Sequence, residues 1–364
     1  MDKDLGFGLM RLPHRGPSID IERTSEMIDR FMEAGYTYFD TAFVYVGSEK
    51  AARKALIERH PRESYTLATK LYAAVVPTEA LAKKELDTSL KRTGTGYIDY
   101  YLLHSLTQNN YAKFDKFHLW DFVREEKEKG RIRHIGFSFH GGPELLDKLL
   151  TDHPETEFVQ LQLNYADWED PRVQARANYE VARRHGMPIV VMEPVKGGKL
   201  ANPPEEVKRM FDAVRPGASY ASWAMRFVAQ LEGVRTVLSG MSNMEQLQDN
   251  LDTMMDFRPL DEEETEAVRR AQKVFNESKE IPCTSCHYCT GGCPEQIPIP
   301  EIFDIMNRRT TTGQAEKAEE DYGALTDQSR KASACIACGQ CETVCPQQIK
   351  VMDELKLCAA ALEE

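Results

Sequence analysis

Short β-rich runs alternate with amphipathic segments along the first two thirds of this chain. The predicted strands are Leu5–Met10, Tyr36–Asp40, Thr66–Lys70, Ile98–His104, Ile132–Ser138, Phe158–Leu163, Ile189–Met192 and Thr236–Ser239. The predicted helices between them are Arg23–Ala34, Glu79–Leu90, Phe117–Lys129, Pro143–Leu150, Arg172–His185 and Met244–Met255. Strands and helices in this alternation predict an α/β fold, a closed (β/α)₈ TIM barrel.

An open doubly wound sheet would alternate in the same way. It should carry a Gly-x-Gly-x-x-Gly turn between its first strand and its first helix. The chain has Gly6-Phe7-Gly8 at this point, without the third glycine and without a helix directly after it. The sequence therefore favours the barrel.

Polar side chains close most of the predicted strands. In a barrel of parallel strands the carboxyl ends converge on one face, where active sites are built. A single histidine after two leucines is more often structural, but six polar endings in register favour a functional site. The six residues are Asp40, Lys70, His104, Ser138, Asn164 and Glu193.

Three of these residues, together with Tyr45 five positions after Asp40, suggest a chemistry. A phenol with a pKa near 10 is a weak acid, and a nearby ammonium such as that of Lys70 lowers this value. Asp40 would keep Lys70 charged, and His104 would donate a hydrogen bond to a substrate oxygen. The set suits proton transfer at an oxygen while a nicotinamide supplies hydride to the adjacent carbon. The alternative is an N-cap aspartate and a core tyrosine.

The chain resembles the aldo-keto reductase superfamily in a series of short motifs. These are Gly6–Pro13, Phe39–Ala42, Tyr45, Gly47–Glu49, Ala68–Lys70, Asp99–His104, Ile135–Ser138, Gln160–Tyr165, Glu193–Pro194, Gly197–Gly198, Ser239–Asn243, Gln246 and Asn250. The resemblance implies that Tyr45 is the general acid, that Lys70 and Asp40 tune it, and that His104 orients the substrate.

The same resemblance implies an NAD(P)H site. It assigns Ser138, Gln162 and Asn164 to the nicotinamide end, and Gln246 and Asn250 to the adenosine end. The further nucleotide contacts expected from these motifs are Gly8, Glu193, Gly197, Gly198, Gly240 and Ser242.

Several positions depart from the family pattern. Phe139 stands where many members have Asn, and Met192 where a tyrosine commonly stacks on nicotinamide. The segment Met241–Met244 carries no cation for a 2′-phosphate, which favours NADH or loose nucleotide binding. Lys196 and Lys199 are either pyrophosphate ligands or part of a solvated loop. His140, Tyr165 and Trp168 are candidates for lining the substrate pocket, with packing as the alternative.

All 9 cysteines lie between Cys283 and Cys358, and eight of them form a repeated Cys-x-x-Cys-x-x-Cys-x-x-x-Cys-Pro motif. This is the pattern of two-cluster ferredoxins, in which the fourth cysteine ligates the other cluster. Cluster 1 is predicted on Cys283, Cys286, Cys289 and Cys345, and cluster 2 on Cys335, Cys338, Cys341 and Cys293. The alternative is two Cys₄ zinc sites, each within its own motif, although zinc usually takes two well-separated pairs. Cys358 is left over and is predicted to be a small buried hydrophobe.

These motifs divide the chain into a barrel over residues 1–258, a linker helix over 259–280 and a ferredoxin-like α+β dicluster domain over 281–364. Within these ranges, Glu262–Glu277 and Pro300–Arg309 are predicted helices, the second followed by a polar loop. The chain resembles throughout an aldo-keto reductase subfamily that carries a C-terminal 4Fe-4S dicluster domain.

Composition excludes several classes of partner. A net charge of −12 argues against nucleic acid, and no apolar run approaches the ~20 residues of a membrane span. Met1–Asp4 lacks the form of a signal peptide. Clustered cysteines suit a reducing compartment, so we expect the cytoplasm of an anaerobe.

The leading hypothesis is an oxidoreductase for NAD(P)H-dependent reduction of a small-molecule carbonyl, or the reverse oxidation of an alcohol. One alternative is an electron-transfer or redox-sensing protein, with a redox partner, whose barrel binds nucleotide without turnover. Another is a reductase that uses cluster electrons with a flavin, because clusters move single electrons and nicotinamide moves two.

Overall fold

Two units divide the chain in the computed structural model, which describes residues 4–326 and 330–363. The first unit runs up to Lys196 and continues from Leu200 to Gln272. The second contains Gly197–Lys199 and the residues from Lys273 onward. The division falls inside the helix that the sequence assigned to the linker. Residues 1–3, on which the expectation about a signal peptide largely rested, lie outside the described residues.

The first unit is a closed barrel of parallel strands, as predicted. Around the barrel, each strand pairs with its neighbours in chain order and the last pairs with the first; Phe7 lies opposite Phe39, for example, and Lys70 opposite Leu102. In the described residues each strand end lies within two residues of its predicted position. The strands are Asp4–Gly8, Tyr38–Asp40, Thr66–Leu71, Ile98–Leu106, Ile132–Phe139, Phe158–Gln162, Ile189–Met192 and Val234–Ser239.

The alternation of side chains along the strands shows where the predicted site residues lie in the barrel. One buried cluster is formed by residues from six of the eight barrel strands, namely Tyr38, Ala68, Leu102, Phe158, Val190 and Leu238. Because side chains alternate between the two faces of a strand, residues two positions further on point the same way. Asp40, Lys70 and His104 follow the first three members of the cluster at this spacing. They therefore lie above it, at the carboxyl ends.

Helices connect the strands, and the six predicted between strands are all present. The described helices of the first unit are Ile21–Glu33, Ser48–Ala52, Glu79–Thr93, Tyr111–Lys116, Leu119–Glu128, Pro143–Asp152, Ala175–Arg184, Glu205–Val214, Tyr220–Ala229, Met244–Met255 and Glu262–Glu277, the last continuing into the second unit. The sequence did not indicate the pair Glu205–Val214 and Tyr220–Ala229, which fills the connection to the last strand. Among the helices of residues 4–326 and 330–363, none combines the length and apolar character that a membrane crossing requires.

The second unit packs helices around a small apolar core that includes Phe303, Tyr322 and Leu355. Its described helices are Ile299–Thr312, Ala315–Leu325, Gln340–Thr343 and Val351–Leu362. Two details of the prediction are wrong. The predicted polar loop contains the helix Ala315–Leu325, because Tyr322 buries its ring in the core. The described residues of this unit contain no strands, so it is not α+β in this part of the chain.

The barrel wall depends on one glycine contact that can be tested. A Cβ on Gly136 would lie 2.5 Å from the Phe158 ring and 2.7 Å from the Phe158 carbonyl oxygen. Because backbone cannot move aside cheaply, Gly136→Ala should lower the free energy of unfolding by about 1–3 kcal/mol. Urea unfolding followed by circular dichroism measures this. Gly96→Ala is the control, since a Cβ there meets nothing within 4 Å; equal effects of the two variants would contradict the packing argument.

Candidate active site

A buried ion pair lies at the carboxyl ends of the second and third strands. The Lys70 ammonium donates to Asp40 Oδ1 at 2.5 Å and to the Thr41 carbonyl at 2.7 Å, and its side chain is 0% exposed. Burial lowers the pKa of Lys70 and raises the pKa of Asp40, while the attraction between the two charges opposes both shifts. Neither charge would persist here without the other.

Tyr45 and His104 lie beside this pair. Lys70 Nζ is 5.3 Å from the centre of the Tyr45 ring. The Tyr45 and His104 rings meet edge to face, with centroids 5.9 Å apart and an interplanar angle of 80°. Asp40, Tyr45, Lys70 and His104 come from three strand ends and one loop, and the structure brings all four together.

The loop that carries Tyr45 is held by buried hydrogen bonds. The Glu49 carboxylate accepts from Thr69 Oγ1 at 2.9 Å and from Arg92 Nη1 at 3.1 Å. Arg92 also donates to the Phe43 carbonyl at 2.9 Å, and its guanidinium lies 4.4 Å from the centre of the Phe43 ring. Sequence reasoning missed Arg92, since nothing local in the sequence connects residue 92 with this loop.

The two histidines of the site are electrically neutral at pH 7. Burial, with smaller contributions from Lys70 and His140, holds the pKa of His104 well below its usual range. Burial also lowers the pKa of His140 to about 4, although a hydrogen bond with the Gln162 side chain opposes this shift. A neutral imidazole donates from one nitrogen and accepts at the other. His104 can therefore act as a hydrogen-bond donor without carrying a charge into the site.

The residues predicted for the nicotinamide end lie near the ends of the fifth to seventh strands. Ser138 Oγ accepts from the Ser105 amide at 2.8 Å, so its own hydroxyl hydrogen remains to be donated. Gln162 and Asn164 both donate to the Asp167 carboxylate, at 2.8 and 2.6 Å. Asn164 donates as well to the carbonyl of Glu193 at 3.0 Å.

Lys196 belongs to the same network. Its ammonium is buried and donates to the Asp167 carboxylate, so this lysine is not part of a solvated loop. Lys199 is separate from it, since its ammonium donates to the Ile281 carbonyl in the second unit at 3.2 Å. Gly197 and Gly198, with φ of 64° and 97°, also belong to the second unit. Sequence reasoning missed Asp167, although it named Tyr165 and Trp168 in the same loop.

The residues predicted for the adenosine end gather where the first and eighth strands end. Ser242 donates from its hydroxyl to the Arg11 carbonyl at 2.7 Å, and its amide donates to Gln246 Oε1 at 2.7 Å. Asn250 is buried and donates to Ser239 Oγ at 2.7 Å. The predicted glycines, Gly8 and Gly240, are at the same corner: a Cβ on Gly8 would lie 3.4 Å from the Ser239 carbonyl oxygen.

The aromatic candidates for the pocket divide into packing and site residues. Tyr165 is fully buried and meets Phe211 and Phe227 edge to face. Trp168 packs on Phe227 as well. Both are packing residues, whereas His140 joins the polar network through Gln162.

Eight of the nine cysteines line two cavities in the second unit. Each cavity draws three cysteines from one motif and the fourth from the other. The first is lined by Cys283, Cys286, Cys289 and Cys345, and the second by Cys335, Cys338, Cys341 and Cys293. This crossed partition is the one predicted for two iron–sulfur clusters, and it differs from two zinc sites that each use a single motif.

The donor set of each cavity therefore fits a cluster with four thiolate ligands. Within the described ranges, no three His, Cys, Asp or Glu side chains surround a point closely enough to hold a single metal ion. When bound, such clusters exchange single electrons. Cys358 lies in the apolar core of the unit, as predicted.

Comparison with known families divides the chain in the same way. The Aldo/keto reductase family matches residues 4–273, and the 4Fe-4S dicluster domain matches residues 282–349. Both parts of the predicted resemblance are confirmed.

Curated relatives carry the same family name. An aldo-keto reductase of Mycolicibacterium paratuberculosis is 29% identical over 268 residues, covering 72% of this chain and 84% of that protein. One of Mycolicibacterium vanbaalenii is 30% identical over 228 residues, 62% of this chain and 75% of that protein. With an aldo-keto reductase of Strobilurus tenacellus the identity is 29%, and the chain spans only 59% of its length.

Solved structures share the barrel. An aldo-keto reductase from Bacillus halodurans in its holo form has a TM-score of 0.60 at 25% identity, covering 74% of this chain and 91% of that one. An aldo/keto reductase from Klebsiella pneumoniae in complex with NADP and acetate has a TM-score of 0.60 at 18% identity, covering 76% and 93%. The second similarity concerns the fold alone.

The crossed ligand sets can be tested by removing cysteines stepwise. A variant with Cys335, Cys338 and Cys341 replaced by Ala should retain one cluster, because the other four ligands remain. Adding Cys345→Ala should abolish that cluster, whereas adding Cys293→Ala should leave it. Iron content and the electron paramagnetic resonance signal of the dithionite-reduced protein measure the outcome. Loss with Cys293→Ala and retention with Cys345→Ala would show instead that each motif serves its own site.

Proposed function

This chain belongs to the aldo/keto reductase family of oxidoreductases, and we propose that it reduces a carbonyl on a small molecule with NAD(P)H, or oxidises the corresponding alcohol. The observation that supports the proposal is the convergence of Tyr45, Lys70, Asp40 and His104 at one end of the barrel. These side chains can move a proton at an oxygen atom, and none of them can supply a hydride.

The reacting oxygen takes its proton from Tyr45. Nicotinamide, when bound, supplies the hydride to the adjacent carbon. As negative charge develops on the carbonyl oxygen, the Tyr45 hydroxyl donates its proton and is left as a phenolate. The Lys70 ammonium, 5.3 Å from the centre of the ring, stabilises that phenolate. Asp40 keeps Lys70 charged in its buried position.

His104 orients the substrate. Its imidazole is neutral, so it donates a hydrogen bond to the carbonyl oxygen without competing with Tyr45 as an acid. A charged imidazolium beside Lys70 would add a second positive charge to the buried site. In the direction of alcohol oxidation, the Tyr45 phenolate accepts the hydroxyl proton that the same imidazole has aligned.

We assign the nucleotide to the carboxyl ends of the strands, because the side chains there suit its two ends. The Ser138 hydroxyl and the side chains of Gln162 and Asn164 would lie at the nicotinamide end. Gly8 and Gly240 would lie at the adenosine end, beside Ser242, Gln246 and Asn250. Because Met241–Met244 carries no cation, we expect NADH to be accepted at least as well as NADPH.

The cysteine-lined cavities support a second candidate function, transfer of single electrons. In that case the barrel would bind nucleotide without turnover, and a redox partner protein would exchange electrons with the clusters. A reductase that combines cluster electrons with a flavin is a third form of the same idea, and flavin should then remain after gentle anaerobic isolation. We place the protein in a reducing compartment, the cytoplasm, where cluster thiolates stay unoxidised.

Replacing Tyr45 by Phe separates these candidates. If Tyr45 is the proton donor, Tyr45→Phe should lower kcat by about 10²–10⁴-fold while the nucleotide Kd stays unchanged. Anaerobic assays with NADH, NADPH and a panel of aldehydes and ketones measure kcat, and nucleotide fluorescence measures binding. Tyr179→Phe is the matched control, since that hydroxyl donates to the Glu232 carbonyl on the surface. Turnover that survives Tyr45→Phe would show that Tyr45 is not the proton donor. Nucleotide binding without any carbonyl turnover in the unmodified protein would instead support the electron-transfer candidate.

A further inference from the structure

Three donors converge on one buried carboxylate beside the proposed nicotinamide end. Asp167 is 0% exposed. Its Oδ2 accepts from Gln162 Nε2 at 2.8 Å and from Asn164 Nδ2 at 2.6 Å, and its Oδ1 accepts from the Lys196 ammonium. Its backbone amide also donates to Asn164 Oδ1 at 2.8 Å.

An ionised carboxylate only accepts hydrogen bonds, and this fixes both amide side chains. The NH₂ groups of Gln162 and Asn164 must face the Asp167 carboxylate. The Gln162 oxygen then points away from the carboxylate, whereas the Asn164 oxygen accepts from the Asp167 backbone amide. The Gln162 side chain is hydrogen-bonded to His140, where its oxygen can take up the imidazole N–H. The second N–H of Asn164 reaches the Glu193 carbonyl at 3.0 Å. One carboxylate therefore sets the direction of two amides at once.

The same contacts hold a strained turn. Glu193 and Lys196 have φ of 56° and 49°, values that side chains other than glycine rarely adopt. The turn is closed by the Lys196 amide, which donates to the Glu193 carbonyl at 3.0 Å. The Lys196 side chain then binds Asp167. Such a strained backbone persists only where several contacts fix the same conformation. Here these contacts are the bonds of Lys196 to the Glu193 carbonyl and to Asp167.

Lys196 supplies the counter-charge for the buried carboxylate. A carboxylate buried without a cation is costly. The Lys196 ammonium donates to Asp167 Oδ1, which leaves Oδ2 to accept from the two amides.

We propose that Asp167, together with Lys196, is a positioning residue for hydride transfer: it orients Gln162 and Asn164 and fixes the turn at Glu193, against which the nicotinamide ring is held. This inference rests on the proposed function and adds to it a residue that touches neither substrate nor nucleotide. A displacement of about 1 Å at the reacting carbon lowers the rate by about 100-fold, so orientation alone is enough to matter.

Two double variants distinguish the effect of orienting the two amides from the effect of the Asp167–Lys196 ion pair itself. In Asp167→Leu with Lys196→Met, both charges are gone and both amides lose their acceptor. In Asp167→Asn with Lys196→Met, the charges are also gone, but the Asn oxygen can still accept from both amides. Asp170→Leu is the control in the same loop, where the carboxylate accepts from Arg172 instead.

The measurements are kcat, nucleotide KM, the thermal unfolding midpoint and the deuterium isotope effect from nucleotide labelled at C4. We expect Asp167→Leu/Lys196→Met to lose about 100-fold in kcat and to show a larger isotope effect. Asp167→Asn/Lys196→Met should recover to within about 10-fold of the unmodified protein, and Asp170→Leu should leave kcat and the isotope effect unchanged.

Equal kcat and isotope effects in the two double variants would overturn the proposal, because the pair would then serve stability alone. The same holds if Asp167→Leu/Lys196→Met behaves like Asp170→Leu. A failure of the proposed function looks different: the unmodified protein itself would neither bind nucleotide nor turn over a carbonyl, and the assignment of Asp167 to hydride transfer would fall with it.

Discussion

An ammonium and a carboxylate enclosed at the carboxyl end of the barrel are the constraint on which the rest of the site depends. Lys70 is fully buried and its contacts are to Asp40 and the Thr41 carbonyl. Breaking a buried pair by removing one partner costs about 3–5 kcal/mol, whereas replacing both by apolar residues is often neutral or stabilising. The pair is therefore a poor way to stabilise a barrel. Its value lies in a fixed positive charge beside the Tyr45 ring.

The site contains two such pairs, and this shapes its electrostatics. Lys70 with Asp40 lies beside the proposed proton donor, Tyr45, and Lys196 with Asp167 lies beside the amides at the proposed nicotinamide end. Each pair is neutral as a unit. Burial keeps the pKa of His104 low, so the imidazole beside Tyr45 adds no further charge. In the proposed reaction the developing oxyanion would meet one oriented ammonium and neutral donors, which need no rearrangement as the charge forms.

The sequence predicted those features that depend on hydrophobic periodicity and on the spacing of residues in short motifs. The alternating strands gave the barrel, and the polar residues closing them gave Asp40, Lys70 and His104, because both follow from local pattern. The stepped cysteines gave the crossed partition of the two cavities for the same reason. What it missed depends on contacts between distant segments: Arg92 donates to the Phe43 carbonyl in the Tyr45 loop, 49 residues away in the chain.

Asp167 shows a second limit. It lies only three residues beyond Asn164, yet an aspartate in a loop has no signature that separates a buried acceptor from a solvated turn. Lys196 was open to two interpretations for the same reason, and only its burial decides between them. The composition of Ala315–Leu325 predicts a loop, because its charged residues outnumber the two that are buried, Ala318 and Tyr322.

The central claim is that a buried ammonium makes Tyr45 an effective proton donor during hydride transfer. The most direct measurement is the single-turnover rate of nucleotide oxidation by a carbonyl substrate in the Lys70→Met variant, followed anaerobically by nucleotide absorbance. The account predicts a fall of about 100-fold or more at unchanged nucleotide affinity. A Lys70→Met protein that is folded, binds nucleotide and transfers hydride at the unmodified rate would contradict it.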